Sequence, residues 1–341
     1  MTQQKTYWHL QELGRKPTGY EVVTSKLLYH PVRGFEVKVP VEAWYERYQK
    51  GSPLRCSDWE QVRDPRETTY ARYTDTQQAK EIFVDGLLRL IDETRYDGGL
   101  APAWVAVLAR VLAPLRYPVH GLQMIAAYVG HMAPSGRITV AALFQTADEI
   151  RRLHRLAYRM RQLQQTHPGF GDDGKAAWER DPLWQPLRKV VERLLVTYDW
   201  GEALIALNLV LKPMLDELLM THFGRLAALC GDEVLAKIFR SLGEDCAWHR
   251  DWTRDLVRTA LTNTPANETV LEAWIARWRP PVTEAVAAFA PVFDATPEVG
   301  GRLAFEEVAG RIDAVCHEYW ASAGLREPAA CSAAGPTGWC R

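Results

Sequence analysis

The stretch from Thr146 to Arg159, TADEIRRLHRLAYR, carries acidic and histidine side chains at spacings close to those of a helical metal site. Carboxylate-bridged di-iron sites take Glu-x-x-His from two helices of a bundle, and residues three apart share one helix face. Here the three-residue step from Glu149 ends at Arg152, and His154 follows Glu149 by five residues. None of the nine histidines has a glutamate three residues before it. Spacing alone therefore argues against a di-iron enzyme.

Two acid–histidine pairs have a workable helical spacing. Asp245 and His249 are four residues apart, as are Asp313 and His317, so each pair lies on one face of a helix. A lone pair of this kind is more often a polar contact than a metal site, because a di-iron centre needs four carboxylates and two imidazoles. We interpret both pairs as contacts.

Other catalytic motifs are missing from the sequence. It contains no G-x-S-x-G elbow, no Walker A loop and no dinucleotide-binding fingerprint. One predicted helix is rich in arginine, but a formal net charge of -1 gives no reason to expect nucleic acid as a partner. We interpret these arginines as a solvated or salt-bridging face. They are Arg151, Arg152, Arg155, Arg159 and Arg161.

The cysteines and the apolar runs predict a cytoplasmic chain that does not enter a membrane. The six cysteines include no C-x-x-C pair, which fits free thiols in a reducing compartment. The first residues, MTQQKTYWHL, do not form a secretory signal, and no uncharged apolar run is long enough to span a bilayer. The 13 tryptophans are typical either of a large packed core or of a subunit interface.

Periodicity divides the chain into three parts. Residues 1–75 are rich in proline and aromatic residues, which predicts an extended N-terminal arm lying over its own helices or over another chain. Residues 76–325 contain long helical patterns joined by short loops, which predicts an all-α bundle. In this region Ile82, Phe83, Leu87, Leu90 and Ile91 fall on one helix face, and Pro213 is predicted to mark a junction or kink between helices 183–212 and 213–229. Residues 326–341 are predicted to be disordered.

Six segments together resemble one family, the β subunit of the hydroxylase in bacterial multicomponent monooxygenases of the toluene/o-xylene type. They stand in the order expected for that subunit and span about residues 6–290. The run DW…RDP…Y..Y is typical of the two large subunits of these hydroxylases, and PTGYE with YDWGEA…N…KP indicates β. The segments are GRKPTGYEVVTSKLLY (14–29), DWEQVRDPRETTYARY (58–73), TADEIRRLHRLAYR (146–159), WERDPLWQPLR (178–188), YDWGEALIALNLVLKP (198–213) and HRDWTRDLV (249–257).

The resemblance implies a ferritin-like, ribonucleotide-reductase-like bundle without a cofactor of its own. In this family the α and β subunits are similar in fold, and only α holds the di-iron centre. Glu149 matches the glutamate of the first ligand motif, whereas Arg152 stands where its histidine would be. Cys246 stands where the glutamate of the second motif would be, and His249 matches its histidine.

The two remaining ligand positions also depart from the family's iron site. The resemblance places Lys212 where the preceding helix has a glutamate, and Gln123 is the expected counterpart of the glutamate on the first helix. Permanent cations at two positions would repel a ferrous ion and could neutralise a buried Glu149 instead. The resemblance therefore predicts vacant ligand-equivalent positions, with no metal and no catalytic residue in this chain.

The implied function is that of a structural subunit in an aromatic-ring hydroxylase. The resemblance implies a hetero-hexamer of two α, two β and two γ subunits that uses O₂ and electrons from NADH. A reductase, a Rieske-type ferredoxin and a small effector protein would act on this complex, and the present chain would brace α. Candidate contacts to a neighbouring subunit are Trp44, Tyr45, Tyr48, Trp59, Arg63, Tyr70 and Tyr73.

Two alternatives stay open from the sequence. The chain could be a catalytic ferritin-like oxidase with unorthodox ligands such as Asp245, His249 and Glu149. It could also be the β subunit of a related alkene, propane or phenol monooxygenase. The sequence does not specify which hydrocarbon the complex oxidises.

Overall fold

The protein is helical in every described range. The computed structural model describes residues 7–26, 40–294 and 303–326, and within these ranges there is no strand. The predicted all-α class is therefore confirmed. The tail predicted to be disordered, 326–341, lies outside the described residues except for Arg326. Residues 1–6 and 27–39 of the predicted arm also lie outside them.

Twelve helices are numbered here in chain order. They are α1 Gly19–Thr24, α2 Pro40–Tyr45, α3 Tyr70–Thr94, α4 Pro102–Met132, α5 Gly136–Thr166, α6 Gly174–Arg180, α7 Gln185–Leu195, α8 (defined next), α9 Glu233–Asn263, α10 Asn267–Ala287, α11 Ala290–Asp294 and α12 Phe305–Ser322. Helix α8 is continuous and consists of Trp200–Ile205, a π-helical Ala206–Leu211, Lys212–Asp216, a π-helical Glu217–Phe223 and Gly224–Leu229.

The hairpin of α4 and α5 is the centre of the bundle. Pro102 lies in the first turn of α4, where its missing N–H costs no hydrogen bond. Ser135 caps α5, since its side chain accepts a hydrogen bond from the N–H of Arg137. Helix α4 is largely apolar and buried, whereas α5 is amphipathic and turns both apolar and charged residues inward. Helix α8 packs on α4 and α9, and α9 also packs on α5, which completes the core of the bundle.

Helix α8 differs from its prediction. The unbroken helix predicted for residues 183–212 was wrong: the chain leaves the helical conformation after Leu195 and resumes it at Trp200. Pro213, predicted to mark a junction or kink, lies inside α8. Pro213 has no N–H to donate to the carbonyl of Leu209 four residues earlier. Trp320 of α12 supplies a donor to that carbonyl, with its Nε1 at 2.7 Å. Pro213 lies between the two π-helical turns of α8, and the helix continues on both sides of it.

Helix α3 packs on the bundle by a narrow strip. Its buried residues are Val84, Leu88 and Ile91. Of the apolar face recognised in the sequence, Ile91 is thus buried, but Ile82 is 67% exposed and Phe83 44% exposed. Helix α3 therefore has an apolar outer surface that the described part of the chain does not cover.

The described part of the arm packs on the chain's own helices. Tyr45 is buried and donates a hydrogen bond to the carbonyl oxygen of His131 at 3.1 Å. Asp64 is buried and accepts a hydrogen bond from Nε1 of Trp248 on α9 at 2.9 Å. Gly201 permits the close approach of the arm to α8 at Leu54, because a Cβ at position 201 would lie 3.1 Å from the Cβ of Leu54. The division into arm, bundle and tail stays a prediction, and α3 begins at Tyr70, before the predicted limit of the arm.

Across the described ranges, no helix combines the length and the apolar character needed to cross a lipid bilayer.

Candidate functional site

Five side chains from three helices meet inside the bundle. They are Glu149 and Arg152 of α5, Lys212 and Asp216 of α8, and Cys246 of α9, and we call them the central cluster. None is more than 3% exposed. Each charged member must therefore find its partners inside the protein, because burying an unpaired charge costs several kcal/mol.

The cations of the central cluster each bridge two carboxylates. Nζ of Lys212 lies 2.5 Å from Oε1 of Glu149 and 3.1 Å from Oδ2 of Asp216. Nη1 of Arg152 lies 3.0 Å from Oδ1 of Asp216 and 3.3 Å from Oε2 of Glu149. The second guanidinium nitrogen, Nη2, donates to Sγ of Cys246 at 2.5 Å. This ring of contacts ties α5, α8 and α9 together.

The electrostatics of the central cluster favour two cations and two carboxylates. Burial acts to lower the pKa of Lys212, but Asp216 and Glu149 outweigh it, so that this pKa is raised. Burial likewise acts to lower the pKa of Arg152, but Cys246, Glu149 and Asp216 outweigh it and raise the pKa well above its usual value. Burial would raise the pKa of Asp216, yet Lys212 and Arg152 lower it to about 2. Burial raises the pKa of the Cys246 thiol to about 12. The formal charges of the two cations and the two carboxylates sum to zero.

The central cluster does not fit a di-iron centre. Such a centre takes four carboxylates and two imidazoles, whereas this cluster has two carboxylates, both bound by cations, and a neutral thiol. Throughout the described ranges, no three His, Cys, Asp or Glu side chains are arranged to hold a metal ion. The donor set thus suits internal ion pairing and not metal coordination.

His249, expected beside the central cluster, belongs to a second group of buried side chains. Its Nε2 lies 2.9 Å from Oδ2 of Asp148, and Oδ1 of Asp148 accepts hydrogen bonds from the Tyr73 hydroxyl and from Nε2 of Gln77, both at 2.7 Å. Burial, aided by Lys212 and other nearby cations, holds the pKa of His249 well below 6.5. The imidazole is neutral, and its Nε2 is engaged by Asp148.

The second group continues to Asp245 of α9. Oδ1 of Asp245 lies 2.5 Å from Nζ of Lys80, and its Oδ2 lies 2.7 Å from Nη1 of Arg151. Gln77 also donates to Asp245 at 3.0 Å, so that α3, α5 and α9 share this group. We call these residues the outer network: Tyr73, Gln77, Lys80, Asp148, Arg151, Asp245 and His249.

The structure brings together four of the six expected ligand-equivalent positions. Glu149, Arg152, Lys212 and Cys246 lie in the central cluster, and His249 lies next to it in the outer network. Gln123 of α4 is half-buried and makes no hydrogen bond to either group within the described part of the chain. Its assignment as a ligand counterpart stays a prediction.

Sequence reasoning missed four members of these groups: Asp216, Asp148, Gln77 and Lys80. Asp216 follows Lys212 by four residues, a spacing that could have indicated an ion pair on one helix face. Asp148 precedes Glu149 directly, and no sequence spacing shows that the two carboxylates enter different groups. Only the packing of α5 between α8, α9 and α3 separates them.

The candidate interface residues mostly contact the chain's own helices. Trp44 donates to the hydroxyl of Tyr128 at 3.1 Å, and its ring lies 4.6 Å from that of Tyr48. The ring of Trp59 lies 5.1 Å from that of Trp200. Three further candidates have different environments: Arg63 pairs with Glu21, Tyr73 stacks on Phe144, and Tyr70 is 72% exposed.

Comparison with known proteins places this arrangement in a family. Residues 44–264 match the family model described as methane/phenol/alkene hydroxylase. The chain is 37% identical over 292 residues to the β subunit of the hydroxylase component of the toluene-4-monooxygenase system of Ectopseudomonas mendocina, a match that covers 84% of this chain and 89% of that subunit. The chain belongs to this hydroxylase family. The resemblance recognised in the sequence is thereby confirmed.

Other members of the hydroxylase family agree with this assignment. The chain is 27% identical to DmpL, the oxygenase component of phenol 2-monooxygenase from Pseudomonas sp. strain CF600, over 89% of this chain and 90% of DmpL. A chain of toluene 4-monooxygenase, T4moH, solved with toluene in the resting active site, superposes with a TM-score of 0.81 at 35% identity, covering 86% of this chain and 98% of that one. Xenon-pressurised phenol hydroxylase from Pseudomonas sp. OX1 shares the fold, with a TM-score of 0.79 at 21% identity, over 93% and 94% of the two chains. The predicted di-iron-hydroxylase type of helical bundle is confirmed.

Proposed function

We propose that this chain is the non-catalytic β subunit of the hydroxylase in a multicomponent aromatic monooxygenase of the toluene/o-xylene type. The observation that carries the proposal is the central cluster, whose two carboxylates are both bound by Lys212 and Arg152. A side-chain set closed in this way has no free ligand to offer a metal or a substrate. The chain's contribution to hydroxylation is then structural.

The relatives support the toluene-type assignment over its alternatives. The toluene-4-monooxygenase β subunit is 37% identical to this chain, against 27% for the phenol 2-monooxygenase component and 26% for the small subunit of propane 2-monooxygenase from Rhodococcus jostii strain RHA1. A phenol or propane monooxygenase is thus the less favoured reading. The substrate is proposed as an aromatic ring, without a choice among toluene, benzene and xylene.

The partners follow from the same proposal. An α subunit would hold the di-iron centre, and two copies each of α, β and γ would form the hydroxylase. A reductase and a Rieske-type ferredoxin would deliver electrons from NADH, and an effector protein would bind the complex. Within it, the central cluster of this chain holds α5, α8 and α9 in place by ion pairs, in the absence of any metal of its own.

The geometry does not favour a catalytic oxidase built on Asp245, His249 and Glu149. Asp245 is held by Lys80 and Arg151 in the outer network, whereas Glu149 is held by Lys212 in the central cluster. His249 Nε2 is bound to Asp148. Each of the three residues therefore has partners of its own, and among the described residues they do not form a group that could hold a metal ion.

Co-expression tests the proposal. An affinity tag on this chain, expressed together with the larger hydroxylase chain and the γ chain of the same source, should recover all three in equal amounts. Toluene hydroxylation, assayed with the reductase, ferredoxin and effector, should require both large chains. The proposal fails if the tagged chain is recovered alone, or if it hydroxylates toluene without the larger chain.

A further inference from the structure

Tyr73 of α3 donates a hydrogen bond to a carboxylate. Its hydroxyl lies 2.7 Å from Oδ1 of Asp148, and the carbonyl oxygen of Phe144 is farther away, at 3.5 Å. A carbonyl oxygen accepts a hydrogen bond but keeps no proton, whereas a carboxylate can also take the proton. Tyr73 therefore has a proton acceptor in direct contact. Three other tyrosines donate to main-chain carbonyls instead, namely Tyr96, Tyr128 and Tyr319.

Asp148 is well placed to take a proton from Tyr73. It is buried, and its other donors within the described ranges are the neutral side chains of Gln77 and His249, at 2.7 and 2.9 Å. The cations of the outer network contact Asp245 instead. Burial, together with the charge of Asp245, raises the pKa of Asp148 well above its usual value. His249 Nε2 provides a second base behind Oδ2 of Asp148.

The ring of Tyr73 is held in place while one side stays accessible. It stacks on Phe144 with ring centroids 4.4 Å apart and planes inclined by 8°. The residue is half-buried and lines a groove of about 440 Å³ between α3 and α5. Burial and the charge of Asp148 raise the pKa of Tyr73, so the phenol keeps its proton at neutral pH. A small oxidant in the groove can thus approach a ring whose hydroxyl faces a buried carboxylate.

This contact suits the removal of one electron from Tyr73. A phenol that loses an electron becomes a strong acid, so its proton leaves to any base within about 2.6–3.2 Å. The O–H bond of Tyr73 would break, and an O–H bond would form on Oδ1 of Asp148. The products are a neutral phenoxyl radical, a carboxylic acid and an oxidant reduced by one electron. When a reductant returns the electron, Asp148 returns the proton.

We propose that Tyr73 is a redox-active residue, which gives one electron to a strong oxidant derived from O₂ and its proton to Asp148. The supply of such an oxidant rests on the proposed function, because the hydroxylase complex would react with O₂. The proton-coupled chemistry of Tyr73 itself belongs to this chain. Its role would be to remove an oxidising equivalent when no aromatic substrate is present.

Photo-oxidation of the full chain tests the electron step without any partner. A laser flash on tris(bipyridine)ruthenium(II) with an electron acceptor generates the ruthenium(III) oxidant, and electron paramagnetic resonance records tyrosyl radicals. Because a tyrosyl radical lasts where its proton is held nearby, Tyr73→Phe should lower the yield of long-lived radical by about tenfold or more. Tyr70→Phe is the matched control, since Tyr70 is 72% exposed on the same helix, and it should leave the yield unchanged. Equal yields in the wild type and Tyr73→Phe would overturn the proposal.

The proton step has a test of its own. Asp148→Asn keeps an oxygen that accepts the hydrogen bond but cannot take the proton, so the radical yield should fall as it does in Tyr73→Phe. The wild-type chain in D₂O provides a second measurement that does not depend on the folding of this variant. Radical formation should be slower there than in H₂O, because the proton moves with the electron. Equal rates in the two solvents, or a full yield in Asp148→Asn, would overturn the proposal.

The complete hydroxylase tests the oxidant. Reduced complex mixed with O₂, in the absence of an aromatic substrate, should give the same radical signal, and Tyr73→Phe in this chain should remove it. A complex that hydroxylates toluene but leaves Tyr73 unoxidised would overturn the inference while the proposed function stands. A complex that never hydroxylates toluene would contradict the proposed function, whereas the result of the photo-oxidation would still decide the chemistry of Tyr73.

Discussion

At the scale of single residues, fixed cations balance the buried carboxylates of the central cluster. Lys212 and Arg152 each contact both Glu149 and Asp216, so removing any one charge leaves another buried and unbalanced. Breaking a buried ion pair in this way is strongly destabilising, while replacing the whole group by apolar residues is often neutral. The stability of the cluster is therefore cooperative.

Lys212→Met should lower the free energy of unfolding by about 3–5 kcal/mol, because it leaves Glu149 and Asp216 with only Arg152 to balance them. Urea unfolding of the purified chain measures this loss. Lys175→Met is the control, since Lys175 is exposed and lies 3.8 Å from Glu179 on the same helix. It should cost about 0.5 kcal/mol or less.

A double-mutant cycle separates pairing from packing in this prediction. Lys212→Met and Glu149→Gln together should cost clearly less than the sum of the two single changes, with a coupling of about 1 kcal/mol or more. Simple additivity would show that the two side chains contribute independently, and the proposed charge balance would be wrong.

His222 of α8 should make the protein sensitive to mild acid. Burial, with Arg225 and Arg311 nearby, lowers its pKa to about 4. Below pH 6.5 the unfolded chain takes up a proton on this histidine that the folded chain does not, so stability falls as the pH falls toward 4. His222→Gln should therefore lose less stability than the wild type between pH 7 and pH 5, by about 1 kcal/mol. Urea unfolding at the two pH values measures the loss of stability in each protein, and equal losses in the wild type and in His222→Gln would contradict this assignment. Glu217, 3.6 Å from the ring, is present in both proteins, so its own titration does not account for a difference between them.

At the scale of elements, α8 shows how a proline can lie inside a buried helix. Pro213 cannot donate to the carbonyl of Leu209, and Trp320 of α12 donates to it at 2.7 Å. Lys212 precedes this proline directly, so the same turn that accommodates Pro213 also carries the cation of the central cluster. The docking of α12 thereby supports the segment of α8 that enters the cluster.

Trp320→Phe should destabilise the chain by about 1–2 kcal/mol, because it removes the donor while keeping most of the ring's packing. In a Pro213→Ala background the alanine N–H becomes available to the Leu209 carbonyl, and the same substitution should cost less. Thermal unfolding of the four proteins gives the comparison. An equal cost in both backgrounds would show that the tryptophan acts through packing alone.

The helices that carry the central cluster were largely predictable from the sequence, whereas the side chains that pair with one another between these helices were not. The period of apolar residues indicated α5 and α9, and the missing Glu-x-x-His step argued against an iron site. The break between α7 and α8 was missed because the short segment 196–199 contains no proline or glycine to signal the end of a helix. The pairing of Asp148 with His249 depends on how α5 packs against α9, which a one-dimensional pattern does not contain.

At the scale of the whole molecule, the two faces of α5 have different roles. One face of α5 contributes Glu149 and Arg152 to the central cluster. On another face Leu143, Ile150 and Tyr158 are exposed. The described arm is packed on the chain's own helices through Tyr45, Asp64 and their partners. The described part of the chain is thus held together by its own internal ion pairs and arm contacts, as expected for a subunit whose role is structural.

The metal content of the chain tests the central claim most directly. The chain should be expressed alone, with an affinity tag, in iron-supplemented medium, and its metals measured by plasma mass spectrometry together with Mössbauer spectroscopy. If Lys212 and Arg152 neutralise the buried carboxylates, the purified chain will contain far less than one iron per molecule and no coupled ferric signal. About two irons per chain with such a signal, as in a di-iron bundle, would contradict the account.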